Sequence, residues 1–188
     1  MLALLVGVAL VRETTYQNCN FKGCGQNCSD YQCAMYCSGQ DCGQYCSEEA
    51  CAYECSGPGC GKYCTGFQCA KNCSGQNCGQ YCSEQSCTRE CVGKNCGQHC
   101  SNFNCARDCS GPNCGQYCSG PDCAVGCSGS QCGSYCNTTG CASICAGPGC
   151  GKYCTGHSCA SGCSSSECGQ YCHGEACASS CSGKNCGQ

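Results

Sequence analysis

The sequence predicts an all-β or irregular fold: a tight, disulfide-braced β-solenoid of about nine residues per coil, organised as an 18-residue double repeat. Three observations point there. Cysteine supplies 38 of the 188 residues, far more than in an ordinary domain. The steps between cysteines alternate five, four, five, four without exception from Cys19 to Cys186. Large apolar residues are scarce past the N-terminus, where only Phe21, Met35, Phe67, Val92, Phe103, Val125 and Ile144 join the tyrosines. At about 25 cal/mol per Å² buried, so few side chains cannot offset the ordering entropy of a chain this long. A covalent scaffold must replace the core.

The cysteine rhythm defines a nine-residue unit, C-S-G-x-x-C-x-x-x, which runs nineteen times through residues 19–188. Strict self-similarity of this kind marks a stacked array. Pro58, Pro112, Pro121 and Pro148 all take the fourth position, as expected of a residue that fixes φ at a recurring corner. A second order doubles the period. The residue after the second cysteine is Gly in ten units and Ala in the units between, with Thr88 as the one departure. Tyrosine ends alternate units at Tyr45, Tyr63, Tyr81, Tyr117, Tyr135, Tyr153 and Tyr171, with Asn27 and His99 as variants. Cysteines and prolines obey the shorter period, which favours nine residues per turn.

With nine residues per turn, cysteines four and five apart can both face inward. Pairing the wider-spaced partners (Cys19–Cys24, Cys28–Cys33, Cys37–Cys42 and so on to Cys181–Cys186) consumes every cysteine; pairing the narrower-spaced ones strands Cys19 and Cys186. The arithmetic favours the first scheme, although sequence alone does not fix connectivity. Each small loop contributes about 2 kcal/mol in the chain-entropy model. Metal binding is the rival use of dense thiols. The chain has no C-x-C, C-C or C-x-x-C, so neither a metal nor a thioredoxin-like redox role is expected, and no cofactor is predicted.

Residues 1–18 read as a partial secretory signal and a short lead. Leu2 to Val11 is too short to span a membrane and has the character of a signal h-region, with Gly7-Val8-Ala9 as a small-x-small cleavage site. The basic segment that would precede it is missing, as expected either of an internal start at Met1 or of a truncated chain. A secreted, extracellular location also suits the cysteine content. The formal charge of −3 is spread out and leaves no footprint for nucleic acid or membrane. His99, His157 and His173 fall at three phases of the repeat and the carboxylates scatter, so no enzyme is expected. Of the sequons at Asn27, Asn72 and Asn137, the first two enclose a cysteine expected to be bonded, leaving Asn137 as the glycan candidate.

Strand alternation around the first cysteine places Tyr and Ser outward, as at Tyr45-Cys46-Ser47, Tyr81-Cys82-Ser83 and Tyr117-Cys118-Ser119. The position after that cysteine is Ser or Thr in fourteen of nineteen units. Around the second cysteine the same logic predicts a low outer face of Gly and Ala. Nineteen coils at about 4.7 Å each would make a rod of about 90 Å.

The run "CSGQDCGQYCSEEAC" resembles the disulfide-braced solenoids of midge antifreeze proteins, built on C-x-G-x-Y-C with a row of stacked tyrosines. The outward-Cys-outward triplet is similar to the T-C-T strands of beetle antifreeze proteins. The likeness covers residues 19–188. It implies adsorption to ice through an ordered array of tyrosine hydroxyls. With nine residues per turn, however, Glu54, Glu90 and Asp108 fall in the same column as the tyrosines and interrupt it with charge.

The competing expectation is a secreted structural protein of a coat, silk, cuticle or mineralised matrix, with self-assembly in place of ice as the partner. Charged interruptions suit a packing role. The chain also stops at "CSGKNCGQ", inside a unit and without a cap, which suggests truncation or end-to-end assembly.

Overall fold

The computed structural model describes residues 17–187. The expected signal segment therefore lies, for residues 1–16, outside the described residues. Strands of two residues recur every nine: β1 (Asn18–Cys19), β2 (Asn27–Cys28), β3 (Tyr36–Cys37), β4 (Tyr45–Cys46) and onward to β19 (Ser180–Cys181). Odd-numbered strands build one ten-stranded parallel sheet and even-numbered strands a nine-stranded one. The chain is a β-solenoid with no helix among the described residues.

One turn is eighteen residues, not nine. Each strand pairs with the strand two places on, so Tyr36 meets Glu54 and Tyr45 meets Tyr63. The nine-residue unit is half a turn, and it repeats because each half must carry a strand and a corner. The rod is correspondingly shorter, about 45 Å along the ten-stranded sheet at strand spacing. Hydrogen bonds knit successive turns at several points. Tyr45 N–H donates to the Gln26 carbonyl at 2.8 Å, Gly43 N–H to Cys24 at 3.0 Å, and at the corner Asp41 N–H to Pro58 at 2.8 Å.

The core is cystine. All 38 cysteines are bonded in nineteen pairs five residues apart, with Cα separations from 5.3 to 5.9 Å. The wider-spaced scheme holds throughout. Each bond spans one corner and faces the interior, where the cysteines up to Cys168 are buried.

The Gly and Ala residues after the second cysteine are not an outer face. Ala34, Ala52, Ala70, Ala106, Ala124, Ala142 and Ala160 are 0 % exposed. The backbone there is left-handed, with φ of 47° at Ala52 and 52° at Gly43, which breaks the strand alternation and turns the side chain inward. Glycine and alanine columns then meet along the axis. A methyl on Gly43 would lie 3.0 Å from the Ala52 Cβ and 3.2 Å from the Cys37 Sγ, so only one of the two columns can carry side chains. Position five of the unit is left-handed as well, in all nineteen corners. Asn77, Asn95, Asn104, Asn113, Asp41 and Asp122 suit that conformation, since short polar side chains tolerate it best after glycine.

Candidate functional site

The doubled turn sorts the two kinds of strand onto opposite sides. On the even-numbered sheet the residue before the cysteine runs Asn27, Tyr45, Tyr63, Tyr81, His99, Tyr117, Tyr135, Tyr153, Tyr171. Glu54, Glu90 and Asp108 belong to odd-numbered strands and line the other sheet. The expected interruption of the tyrosine column by charge is thus corrected. Residues nine apart face opposite ways, whereas residues eighteen apart stack.

The rings form one continuous pile. Tyr45–Tyr63 and Tyr63–Tyr81 centroids are 5.0 Å apart, Tyr81–His99 and His99–Tyr117 4.8 Å, Tyr117–Tyr135 4.9 Å, and Tyr135–Tyr153 and Tyr153–Tyr171 5.0 Å. The planes deviate by at most 9°. Ring faces are spent on one another, so the surface offers ring edges and hydroxyls. It is not a platform on which a sugar or a base could stack. Parallel stacking at this distance contributes about 0.5–1.5 kcal/mol per pair, and it limits ring freedom before anything binds.

A second column follows the cysteines: Ser29, Ser47, Thr65, Ser83, Ser101, Ser119, Asn137, Thr155, His173. Its hydroxyls are oriented by the preceding turn. Ser47 Oγ donates to the Cys28 carbonyl at 3.4 Å, Thr65 Oγ1 to Cys46 at 3.3 Å and Ser119 Oγ to Cys100 at 3.4 Å, leaving lone pairs outward. Between the columns runs a shallow trough of about 640 Å³, from Tyr63 to Thr155. Neither column contains an Asp, Glu, Lys or Arg. The ten candidate residues, Tyr45, Tyr63, Tyr81, Tyr117, Tyr135, Tyr153, Tyr171, Ser47, Ser83 and Ser119, therefore share one face. Asn137 also sits on that face, where a glycan would cover the trough.

Flanking the tyrosines, side chains form an amide ladder. Gln80 donates to Gln98 and Gln98 to Gln116, each at 2.9 Å. Lys62 and Lys152 replace Gln in this column, with their Nζ 5.4 Å from the Tyr63 centroid and 5.9 Å from that of Tyr153. A hydrogen bond to Glu167 at 2.9 Å raises the Lys152 pKa. Partial burial between two rings lowers that of His99 from its ordinary value, which favours the neutral ring in the column. His99, a variant in the tyrosine column by sequence, stands inside the stack because one turn is eighteen residues.

The opposite face differs in kind. Its trough, about 580 Å³, has Glu54 and Glu90 on one wall and Ser38, Ser56 and Ser74 on the other. His157 lies at a corner near Glu175 and His173 at the end of the Ser/Thr column, so the three histidines stay apart. Sulfur atoms of neighbouring cystines approach within 4.8 Å, as for Cys37, Cys42 and Cys60, but every one is in a disulfide and none is a thiolate ligand. No family model, curated protein or solved structure matches the chain.

Proposed function

We propose that the protein is an extracellular ice-binding repeat protein that adsorbs through its tyrosine–serine face. One observation carries the reading: eight rings stacked in near-parallel planes at a regular 4.8–5.0 Å beside an oriented Ser/Thr row, free of formal charge. Ice is a rigid, periodic partner with no charged groups to pair. A surface fits it when its hydroxyls repeat evenly, stay in place and do not bind water as tightly as ions do. The stack supplies the repeat, and the cystine core supplies the stiffness. Many weak contacts then add without an ordering cost at each one. Dense disulfides, and the absence of a membrane-spanning helix among the described residues, are consistent with an extracellular protein.

Ice shaping and freezing-point depression by the purified, oxidised protein test the reading. Activity that disappears in a Tyr117→Lys, Tyr135→Lys double variant and persists in Gly162→Lys, on the opposite face, supports it. An unmodified protein that neither shapes ice nor depresses freezing overturns it, and the role of a secreted structural protein takes its place.

A further inference from the structure

Every disulfide closes a loop inside one half-turn, and none joins a turn to the next. Cohesion along the rod rests on non-covalent contacts among the described residues. Among the described residues, the stacked rings of successive turns all lie in the tyrosine column.

We propose that this column is a covalent modification site, where a one-electron oxidant couples tyrosines of successive turns into dityrosine and staples the rod lengthwise. Centroids 4.9–5.0 Å apart are only slightly farther than two phenol rings joined by a single carbon–carbon bond. Coupling needs the rings to rotate, not the backbones to approach. Tyr45, Tyr81, Tyr117, Tyr135, Tyr153 and Tyr171 are 39–48 % exposed, which admits the oxidant. Each phenol gives one electron to the oxidant and one proton to solvent. The two phenoxyl radicals then pair in a bond between facing ortho carbons, whose hydrogens return to the oxygens. Each link costs two protons and two electrons, which a peroxidase can transfer to hydrogen peroxide to give water.

The site has a built-in boundary. His99 divides the column into Tyr45–Tyr63–Tyr81 and Tyr117–Tyr135–Tyr153–Tyr171 and holds Tyr81 and Tyr117 two turns apart. Tyr31, Tyr36 and Tyr53 lie outside the stack. Tyr36 has Asn18 and Glu54 as register partners, and the Tyr53 hydroxyl accepts from Lys71 Nζ at 2.7 Å. This inference stands apart from ice binding and does not require it.

The test oxidises dilute, disulfide-intact protein with a peroxidase and hydrogen peroxide, then maps links by peptide mass spectrometry. Expected are intrachain links, each with the loss of two hydrogens, between residues eighteen apart within each run and none between Tyr81 and Tyr117. His99→Tyr should add links to position 99. The proposal is overturned if dityrosine is absent while tyrosine is otherwise oxidised, if links engage Tyr31, Tyr36 or Tyr53 as often as the column, or if they form mainly between chains. Should His99→Tyr not fold, the map of the unsubstituted protein decides alone.

Discussion

Gly115 and Ala124 face each other across the axis of the coil so closely that a methyl on both would overpack it. A Cβ on Gly115 would lie 3.0 Å from the Ala124 Cβ and 3.2 Å from both the Ala106 Cβ and the Cys109 Sγ. All three neighbours are short and anchored, so none can swing away. The backbone at Gly115 also has φ of +53°, a conformation that costs an L-residue about 1–2 kcal/mol. Overpacking adds about 1–3 kcal/mol. Gly115→Ala should therefore lower the calorimetric unfolding midpoint of the oxidised protein. The reverse change, Ala124→Gly, relieves a strained φ of 51° while removing one methyl, and should leave the midpoint nearly unmoved.

Thr88 offers a sharper version. Its Cγ2 occupies the space where a Cβ on Gly79 would sit, and its Oγ1 lies 2.6 Å from the corresponding point on Gly97. Its hydroxyl finds only cystine sulfur, Cys82 Sγ at 3.4 Å and Cys105 Sγ at 3.9 Å, a weak acceptor that cannot donate in return. Gly79→Ala should cost more than Gly115→Ala. Adding Thr88→Ala should bring the cost back to the Gly115→Ala level, a coupling that a double-mutant cycle measures. Additive effects would show that Thr88 does not fill that space.

These columns also show how far the residues themselves reveal the coil. Disulfide pairing was legible because counting alone separates a scheme that uses Cys19 and Cys186 from one that strands them. The corner was legible from Ser-Gly-Pro. Turn length was not, because cysteine and proline serve both halves of the coil alike and so repeat every nine. The alternation of Gly and Ala carried the true period, since the two columns must interlock. Their burial stayed hidden because alanine seldom adopts positive φ, and nothing in Ala52 or Ala124 announces it. Asn and Asp before the second cysteine were the available sign that the corner is left-handed. With the period halved, Glu54 and Tyr63 fell into one column, although they lie on opposite sheets.

Acid should act on the tyrosine face through His99. Its neighbours across the strands are Tyr81 and Tyr117, with Gln80, Gln98 and Gln116 alongside and no carboxylate in either column of the face. Burial penalises the imidazolium, so the folded-state pKa lies below 6.5 and the unfolded chain binds more protons in that range. The stabilising contribution is complete above pH 6.5 and is lost as pH falls through the folded value. Protonation also places a charge in the middle of the array, so ice shaping should weaken in the same window. In a His173→Asn background, which takes the other histidine off this face, His99→Asn should remove both dependences. An unchanged profile in that variant would assign the effect to another group.

Reductant should enter where cystine is least covered. Interior cystines such as Cys91–Cys96 are 0 % exposed, whereas Cys181 is exposed and Cys172, Cys177 and Cys186 are partly so. Thiol–disulfide exchange requires a thiolate to reach sulfur. In the chain of residues 1–188, brief treatment with a small thiol, followed by alkylation and mapping, should find Cys181–Cys186 opened first and Cys172–Cys177 next. Full reduction should abolish β structure, because the buried apolar residues among those described are cysteine and alanine only. Persistence of the circular dichroism spectrum after full reduction would show that packing, not covalency, holds the turns.

The last prediction separates position from charge. Tyr117→Lys and Gly162→Lys add the same cation to the same rod, one on each sheet. Gly162 has ordinary backbone geometry and only the Ser143 carbonyl near its would-be Cβ, at 3.5 Å, so lysine fits there without strain. Tyr117 sits between His99 and Tyr135, and its loss splits the pile as well as charging it. Tyr117→Phe completes the set, since it keeps the ring and removes the hydroxyl. If hydroxyls bind the lattice, Phe should weaken ice shaping in part and Lys should abolish it, while Gly162→Lys leaves it intact. If flatness alone matters, Phe should match the unmodified protein. Equal loss from Tyr117→Lys and Gly162→Lys would mean that net charge, not the tyrosine face, governs adsorption, and the assignment of the face would fall.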